Sequence, residues 1–391
     1  MPRRTVFALY FLAVFLQAGA YGLTFLLPDL FSQFQANEKN VGQMLAITAL
    51  VTLITVYYSG HLSDRFGRVM TLAGGCFAIA LALFLYGIAN RTGPTLILAS
   101  ASLGAGWGLT YALAPVVLTR LVKAEERVRS FALLSIFVMA GFGLSPVMAS
   151  AMLRLGLTVN DAFYVTAALC AVSGVILTQL VGPIRAQALN PGPEAASRLS
   201  LTNIAQILHS PARLPVTMVF LGASVFAGMT NFQTVIAGER GLDYASYFLT
   251  YTVTVVFFRI LLARFTGGPN PYLTISAMQY VMAASILLFL FIGGSAPLYI
   301  LVAVLFGLGY GASYPILVAM AANDARDDLV PQTLQLFALS YFIGIFGFPL
   351  IAGWVMVELG SAPLLWSVTL IAAIEASLAL RRALANSHTE R

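Results

Sequence analysis

Residues 60–68 read Gly60-His61-Leu62-Ser63-Asp64-Arg65-Phe66-Gly67-Arg68, a short polar loop between two apolar runs, 41–60 and 70–89. Each run is long enough to cross the hydrocarbon core of a bilayer, about 30 Å or about 20 helical residues. Working outward, the same signal recurs at 6–27, 95–119, 128–152, 161–182, 212–237, 245–265, 272–293, 296–320, 331–357 and 361–383, so that twelve spans are expected. The composition agrees: of 391 residues 59% are hydrophobic and 9% charged, and the mean hydropathy is +0.88. A soluble domain carries roughly a quarter charged residues, and the unbroken apolar runs exclude disorder, collagen and coiled coil. The fold class is an all-α polytopic membrane protein.

The longest polar interruption, 183–211, divides the chain into 1–182 and 212–391, six spans on either side of a central loop. The net charge of +6 points to membrane topology rather than nucleic acid, because the cations cluster at the ends of apolar runs. With the N-terminus inside, 16 of the 21 Lys and Arg fall on the cytoplasmic side, Lys123, Arg198, Arg264 and Arg391 among them. Lys39, Arg91, Arg154 and Arg240 face out and Arg259 lies within the eighth span. Both termini are therefore expected in the cytoplasm. The Arg3-Arg4 pair precedes a long run without a small-residue cleavage site, so the first helix is expected to be retained. Cys76 and Cys170 sit inside apolar runs and suit neither a disulfide framework nor a zinc site. The halves resemble repeats: Gly108-Leu109-Thr110-Tyr111 recurs as Gly307-Leu308-Gly309-Tyr310, Pro115 as Pro315 and Pro146 as Pro349. Duplication suits a transporter in which two six-helix bundles rock about a site near the bilayer midplane.

The loop Gly60–Arg68 closely resembles the G-x-x-x-D-R-x-G-R loop that the major facilitator superfamily carries between spans two and three. The resemblance implies a fold of two pseudo-symmetric six-helix bundles and a conformational latch formed by Gly60, Asp64, Arg65, Gly67 and Arg68. Physically, the glycines permit a tight turn, and Asp64 can accept hydrogen bonds from arginine and meet a helix N-terminus. Some family patterns are absent. Ser100 stands where many members place an arginine ahead of a glycine (here Gly104). The span-five antiporter pattern is only echoed by Gly141-Phe142-Gly143-Leu144-Ser145-Pro146, and the second half has Ala263-Arg264-Phe265 where a repeated latch would have Asp-Arg. Drug/proton antiport thereby loses its best signatures.

Polar groups at membrane depth are candidate functional residues. Gln17 and Tyr21 share a face of span one with Tyr10 and Thr24, Trp107 and Tyr111 share one of span four with Ser100 and Gly104, and span seven carries Asn231 and Gln233. Span ten adds Tyr310 and Tyr314, and in the superfamily spans one, four, seven and ten surround the cavity. Aromatic planes interleaved with amides suit a flat, weakly charged organic solute; the structural alternative is interfacial tyrosine belts and amides that join helices. Arg259 is either an anion-binding or coupling residue or a snorkelling one. Glu375, six residues before Arg381, reads as a snorkelling or paired group, and no proton relay emerges. Met148 with Met152, and Met278 with Met282, are i,i+4 pairs able to offer two thioethers to Cu(I); otherwise no metal site is expected.

A finer resemblance covers Asn231-Phe232-Gln233-Thr234, Arg240-Gly241-Leu242-Asp243-Tyr244 and Tyr251-Thr252, and is to a bacterial subgroup with riboflavin importers and a copper importer serving cytochrome oxidase assembly. It implies uptake of a small organic solute, riboflavin foremost, across a bacterial inner membrane. Span eight lacks the Met and His pairs of the copper members, which leaves a copper importer as the alternative, ahead of a drug exporter or a non-transporting receptor. No enzyme constellation lies within the spans and no G-x-x-x-x-G-K-[ST] loop occurs. The expected partners are a small-molecule substrate and the lipid bilayer, with protons as an optional coupling ion, no nucleic acid, no cofactor and a monomeric chain.

Overall fold

The computed structural model describes residues 1–122, 127–188, 199–261 and 268–389. The cytoplasmic placements of Lys123, Arg198, Arg264 and Arg391, and the sequence Ala263-Arg264-Phe265, lie outside the described residues. Among the described residues all regular structure is helical, and twelve helices are long and apolar enough to cross a membrane. Spans one to six are Arg3–Ser32, Glu38–Phe66, Arg68–Ile88, Pro94–Leu121, Arg129–Arg154 and Val159–Ala186. Spans seven to twelve are Arg213–Thr230, Tyr244–Leu261, Pro271–Phe291, Ala296–Asn323, Asp327–Leu359 and Ser361–Ala385, the last helix running on to Thr389. The chain divides into two compact units, Met1–Ala195 and Ala196–Arg391.

Local chemistry sets the helix ends. Asn37 opens span two and Thr158 opens span six with capping boxes that satisfy otherwise orphaned N–H groups. Gly67, at φ +84°, closes span two and opens span three in a one-residue turn that suits only glycine, and the Thr71 hydroxyl bonds the Leu62 and Gly67 carbonyls across it. The central segment holds a short amphipathic helix, Leu201–Leu208, capped by Ser200. The sequence reading took this stretch as loop, because eight residues are too few for hydropathy to register a span.

Three spans are irregular where the sequence reading had continuous helix. Span one passes through a 3-10 turn at Thr24–Leu26. Span seven stops at Thr230, turns at Asn231-Phe232 and resumes as the helix Gln233–Glu239. Span eleven holds a π-helical turn, Ile343–Gly347. Broken and π-bulged helices at membrane depth keep their backbone groups enclosed by protein and recur at functional sites.

Close helix crossings fix how the units repeat. A Cβ on Gly106 would meet Gly75 O and Ile79 N of span three, and one on Gly309 would meet Met278 O and Met282 N of span nine, all 203 positions on. The crossings of Gly104 on Thr48 and of Gly307 on Tyr251 keep the same offset. Gly141 against Phe15, Ala18 and Gly19 recurs as Gly344 against Phe220, Ala223 and Ser224. The packing therefore matches Gly108 with Gly311 and Trp107 with Tyr310. The sequence pairing of Gly108 with Gly307 is corrected by one helical turn, a slip that glycines spaced by four make invisible to pattern matching. The pairing of Pro146 with Pro349 fits the structural offset.

Candidate functional site

In the first unit, span one meets span five so closely that a Cβ on Gly22 would lie 2.0 Å from Phe142 O and 2.1 Å from Ser145 Oγ. That approach gathers three rings, edge to face or tilted: Tyr21 lies 5.6 Å from Trp107 at 79° and 4.6 Å from Phe142 at 44°, and Trp107 lies 5.6 Å from Phe142 at 89°. Gln17 is buried with them on the same unit's helices, and neither Gln17 Oε1 nor Trp107 Nε1 has a hydrogen-bond partner among the described residues. Tyr111, one turn beyond Trp107, is half-buried. Tyr10, on the same face, has its hydroxyl engaged by Ala114 O at 2.5 Å and so serves packing.

The second unit repeats the motif with other rings. By the Phe15 to Phe220 correspondence Tyr21 is matched by Phe226, which stacks on Tyr310 at 4.5 Å and 18°. The stack extends through Phe306, 4° from parallel with Tyr310, to Tyr251 and Tyr247. Gln233 begins the second segment of the broken span seven and donates to Tyr299 OH at 2.6 Å, while its Oε1 and the hydroxyls of Tyr247 and Tyr251 are buried without partners among the described residues. Asn231 sits at the break itself and its Nδ2 bonds Ala227 O at 3.1 Å, so that amide closes the end of a helix. Arg259 is buried within span eight, electrostatically coupled to Tyr251 and Tyr310. Burial of the side chain counts against the snorkelling alternative.

A separate small cavity opens in the same unit, with about 20 Å³ available to the centre of a water molecule, room for about one. Gly222 on span seven, Gln279 on span nine, Tyr310, Ser313 and Tyr314 on span ten, Tyr341 on span eleven and Glu375 on span twelve line it. Tyr314 is half-buried and meets Tyr341 ring to ring at 5.5 Å. Gln279 escaped the sequence reading although it obeys the same rule, a polar side chain in an apolar run. Of the two readings of Glu375, snorkelling or paired, the structure favours the paired one, since the residue lies midway along the helix Ser361–Thr389 and bonds Gln279 inside the unit.

The latch residues lie at the turn between spans two and three, Asp64, Arg65 and Gly67 exposed, Gly60 and Arg68 half-buried. Of the methionines, Met148, Met152 and Met278 are half-buried, and Met282 is buried against Gly309 and beside the cavity. The pairs Met148/Met152 and Met278/Met282 belong to different units.

Twelve apolar helices in two units that repeat each other's crossings, each with buried polar and aromatic side chains, define a polytopic membrane transporter scaffold. The family model of the Major Facilitator Superfamily matches residues 9–349, and the chain belongs to that family. It is accordingly a membrane transporter rather than an enzyme. Among solved structures, the crystal structure of the human organic anion transporter MFSD10 (TETRAN) is similar, with a TM-score of 0.69 over 97% of this chain and 100% of that one at 15% identity, a likeness of fold. No curated protein sequence matches this one.

Proposed function

We propose that this transporter takes up a flat organic solute of the flavin type, riboflavin foremost, by alternating access. The observation that carries the reading is the pair of matched aromatic faces, Tyr21 with Trp107 and Phe226 with Tyr310, each beside polar atoms that the protein leaves without partners. Ring faces stack a planar heterocycle and orphaned amide and hydroxyl groups orient it, at little cost in side-chain entropy. On this reading Gln17, Tyr21, Trp107 and Tyr111 act from the first unit and Asn231, Gln233, Tyr310 and Tyr314 from the second, with Asn231 holding the helix break. Asp64, Arg65 and Arg68 act as the latch, with Gly60 and Gly67 shaping its turn. The protein works as a monomer in a bacterial inner membrane with both termini in the cytoplasm.

A second reading, an organic anion, is favoured by Arg259, a buried cation coupled to the tyrosines of the second stack. The likeness to an organic anion transporter adds to it at the level of fold. Purified protein decides between the two. Stacking on Trp107 or Tyr310 quenches flavin fluorescence, and Trp107→Ala and Tyr310→Ala are each expected to weaken binding at least tenfold. Arg259→Gln leaves riboflavin binding intact but abolishes binding of a carboxylated flavin analogue. Riboflavin that stays fully fluorescent with the wild type, together with copper binding lost in Met148→Leu/Met152→Leu, would replace both readings with the copper alternative.

A further inference from the structure

Glu375 and Gln279 belong to other spans than the aromatic faces, with Tyr310 of the second face lining the cavity beside them. Both are buried, they belong to spans twelve and nine, and Gln279 Nε2 donates to Glu375 Oε1. The two oxygens left over, Glu375 Oε2 and Gln279 Oε1, are both buried acceptors to which no described protein group donates. An ionised carboxylate beside an amide thus lacks one donor. A single proton on Oε2 turns that oxygen into a donor, and the amide oxygen of the same partner is the acceptor that lacks one. A carboxylic acid and a primary amide satisfy each other in this way, each giving one hydrogen bond and accepting one.

Among the described residues lining the cavity, no countercharge offsets an ionised Glu375. The groups lining the cavity beside it include three phenols, Tyr310, Tyr314 and Tyr341, and no Lys, Arg, His or second carboxylate. On the helices packed against span twelve, span nine carries Tyr272, bonded to Asp324, and Tyr280, bonded to Ser377. Span seven has Arg213 exposed at its start, and span eleven has Glu358 near its end. Span twelve itself has Arg381 and Arg382 well over a turn away, and Arg259 does not line the cavity. An isolated carboxylate without a cation is costly in a low-dielectric interior, and such a group takes up a proton instead. Gly222 makes the place for it: a Cβ there would lie 2.9 Å from Glu375 Oε1.

We propose that Glu375 and Gln279 form a proton-binding site within the second unit, in which the protonated acid pairs with the amide and loss of the proton loosens the contact between spans nine and twelve. The inference rests on the transporter scaffold and not on the identity of the solute. Infrared spectroscopy of the purified full-length protein without solute tests it. The carbonyl band of a protonated carboxylic acid is expected at neutral pH, shifted in D2O, absent from Glu375→Gln, and retained but moved in frequency in Gln279→Met. Thermal stability in detergent is expected to fall for the wild type as pH rises from about 5 to about 9, because the proton is bound in the folded state and is lost with rising pH. Glu375→Gln, which keeps the amide-type pairing, is expected to flatten that dependence. A wild-type spectrum with no Glu375-dependent acid band at neutral pH, meaning a carboxylate solvated by the cavity, overturns the proposal. Wild-type stability that responds to sodium at fixed pH and not to pH assigns the site to a metal cation and overturns it equally.

Discussion

The crossing of spans three and six in the first unit and that of spans nine and twelve in the second use the same framework with different chemistry. In the first, Cys76 meets Ser173 at 3.5 Å, and the Ser173 hydroxyl also lies 2.7 Å from Ala13 O, so the contact is small and neutral. In the second, Gln279, the counterpart of Cys76 by the 203-residue offset, meets Glu375. The aromatic faces show the opposite balance: Tyr21 with Trp107 and Phe226 with Tyr310 are conservative replacements at matched positions. Rings are kept at these positions in both halves, while among the described residues a buried acid lies in the second alone. The proposed roles follow that difference: the rings to hold a planar solute, the acid of one unit to carry a proton.

The largest effect that would break this comparison is steric. Gly22→Ala places a methyl group 2.0 Å from the Phe142 carbonyl. It is expected to exceed the 1–3 kcal/mol or so typical of overpacking and to abolish properly folded protein, as read by size-exclusion chromatography in detergent. Gly344→Ala, 2.6 Å from Phe220 O at the matching crossing, should be damaging to a lesser degree. Next comes Trp107→Ala, which removes a buried indole at a cost of about 3–5 kcal/mol and should eliminate solute binding. Tyr310→Ala should do the same from the other unit, and an effect confined to one of the two would show that the matched faces do not share a task.

Asp64→Asn is expected to lower transport several-fold with the protein fully inserted and its solute affinity unchanged, since Asp64 is exposed at a turn distant from the stacks in sequence and burial alike. The smallest effect sharpens the contrast between the two crossings: Ser173→Ala should cost about 1 kcal/mol, the net worth of an ordinary hydrogen bond, with no change in pH dependence.

Much of the fold was legible because bilayer physics is blunt. Hydrocarbon demands about 20 apolar helical residues, and that demand located the twelve spans and most of their ends, although span two runs on to Phe66 rather than 60 and span seven stops at Thr230 rather than 237. The break at Asn231-Phe232 was not legible, since no proline announces it, whereas Pro28 in the first turn after Thr24–Leu26 is the signal for that break which the hydropathy reading passed over. Hydropathy averages also hid the register of the repeat, because Gly104, Gly108, Gly307 and Gly311 offer the same four-residue spacing twice over. Among the candidate site residues, Trp107, Tyr21, Tyr310 and Gln233 could be named from depth and residue type, but the ring partners Phe142 and Phe226 and the hydrogen-bond partner Tyr299 could not. Phenylalanine in an apolar run carries no signal of its own, and the choice between snorkelling and pairing for Glu375 stayed open because distance to Arg381 along the chain says nothing about which face of the helix is turned inward.

The most direct test of solute transport is accumulation of labelled riboflavin in a riboflavin-auxotrophic bacterium lacking its own importer, at low external vitamin. Wild-type protein is expected to restore uptake and growth, and Trp107→Ala and Gln233→Ala to lose both while remaining in the membrane. Wild-type protein present in the membrane without any riboflavin accumulation, or uptake undiminished in both variants, would contradict the account of the paired aromatic faces.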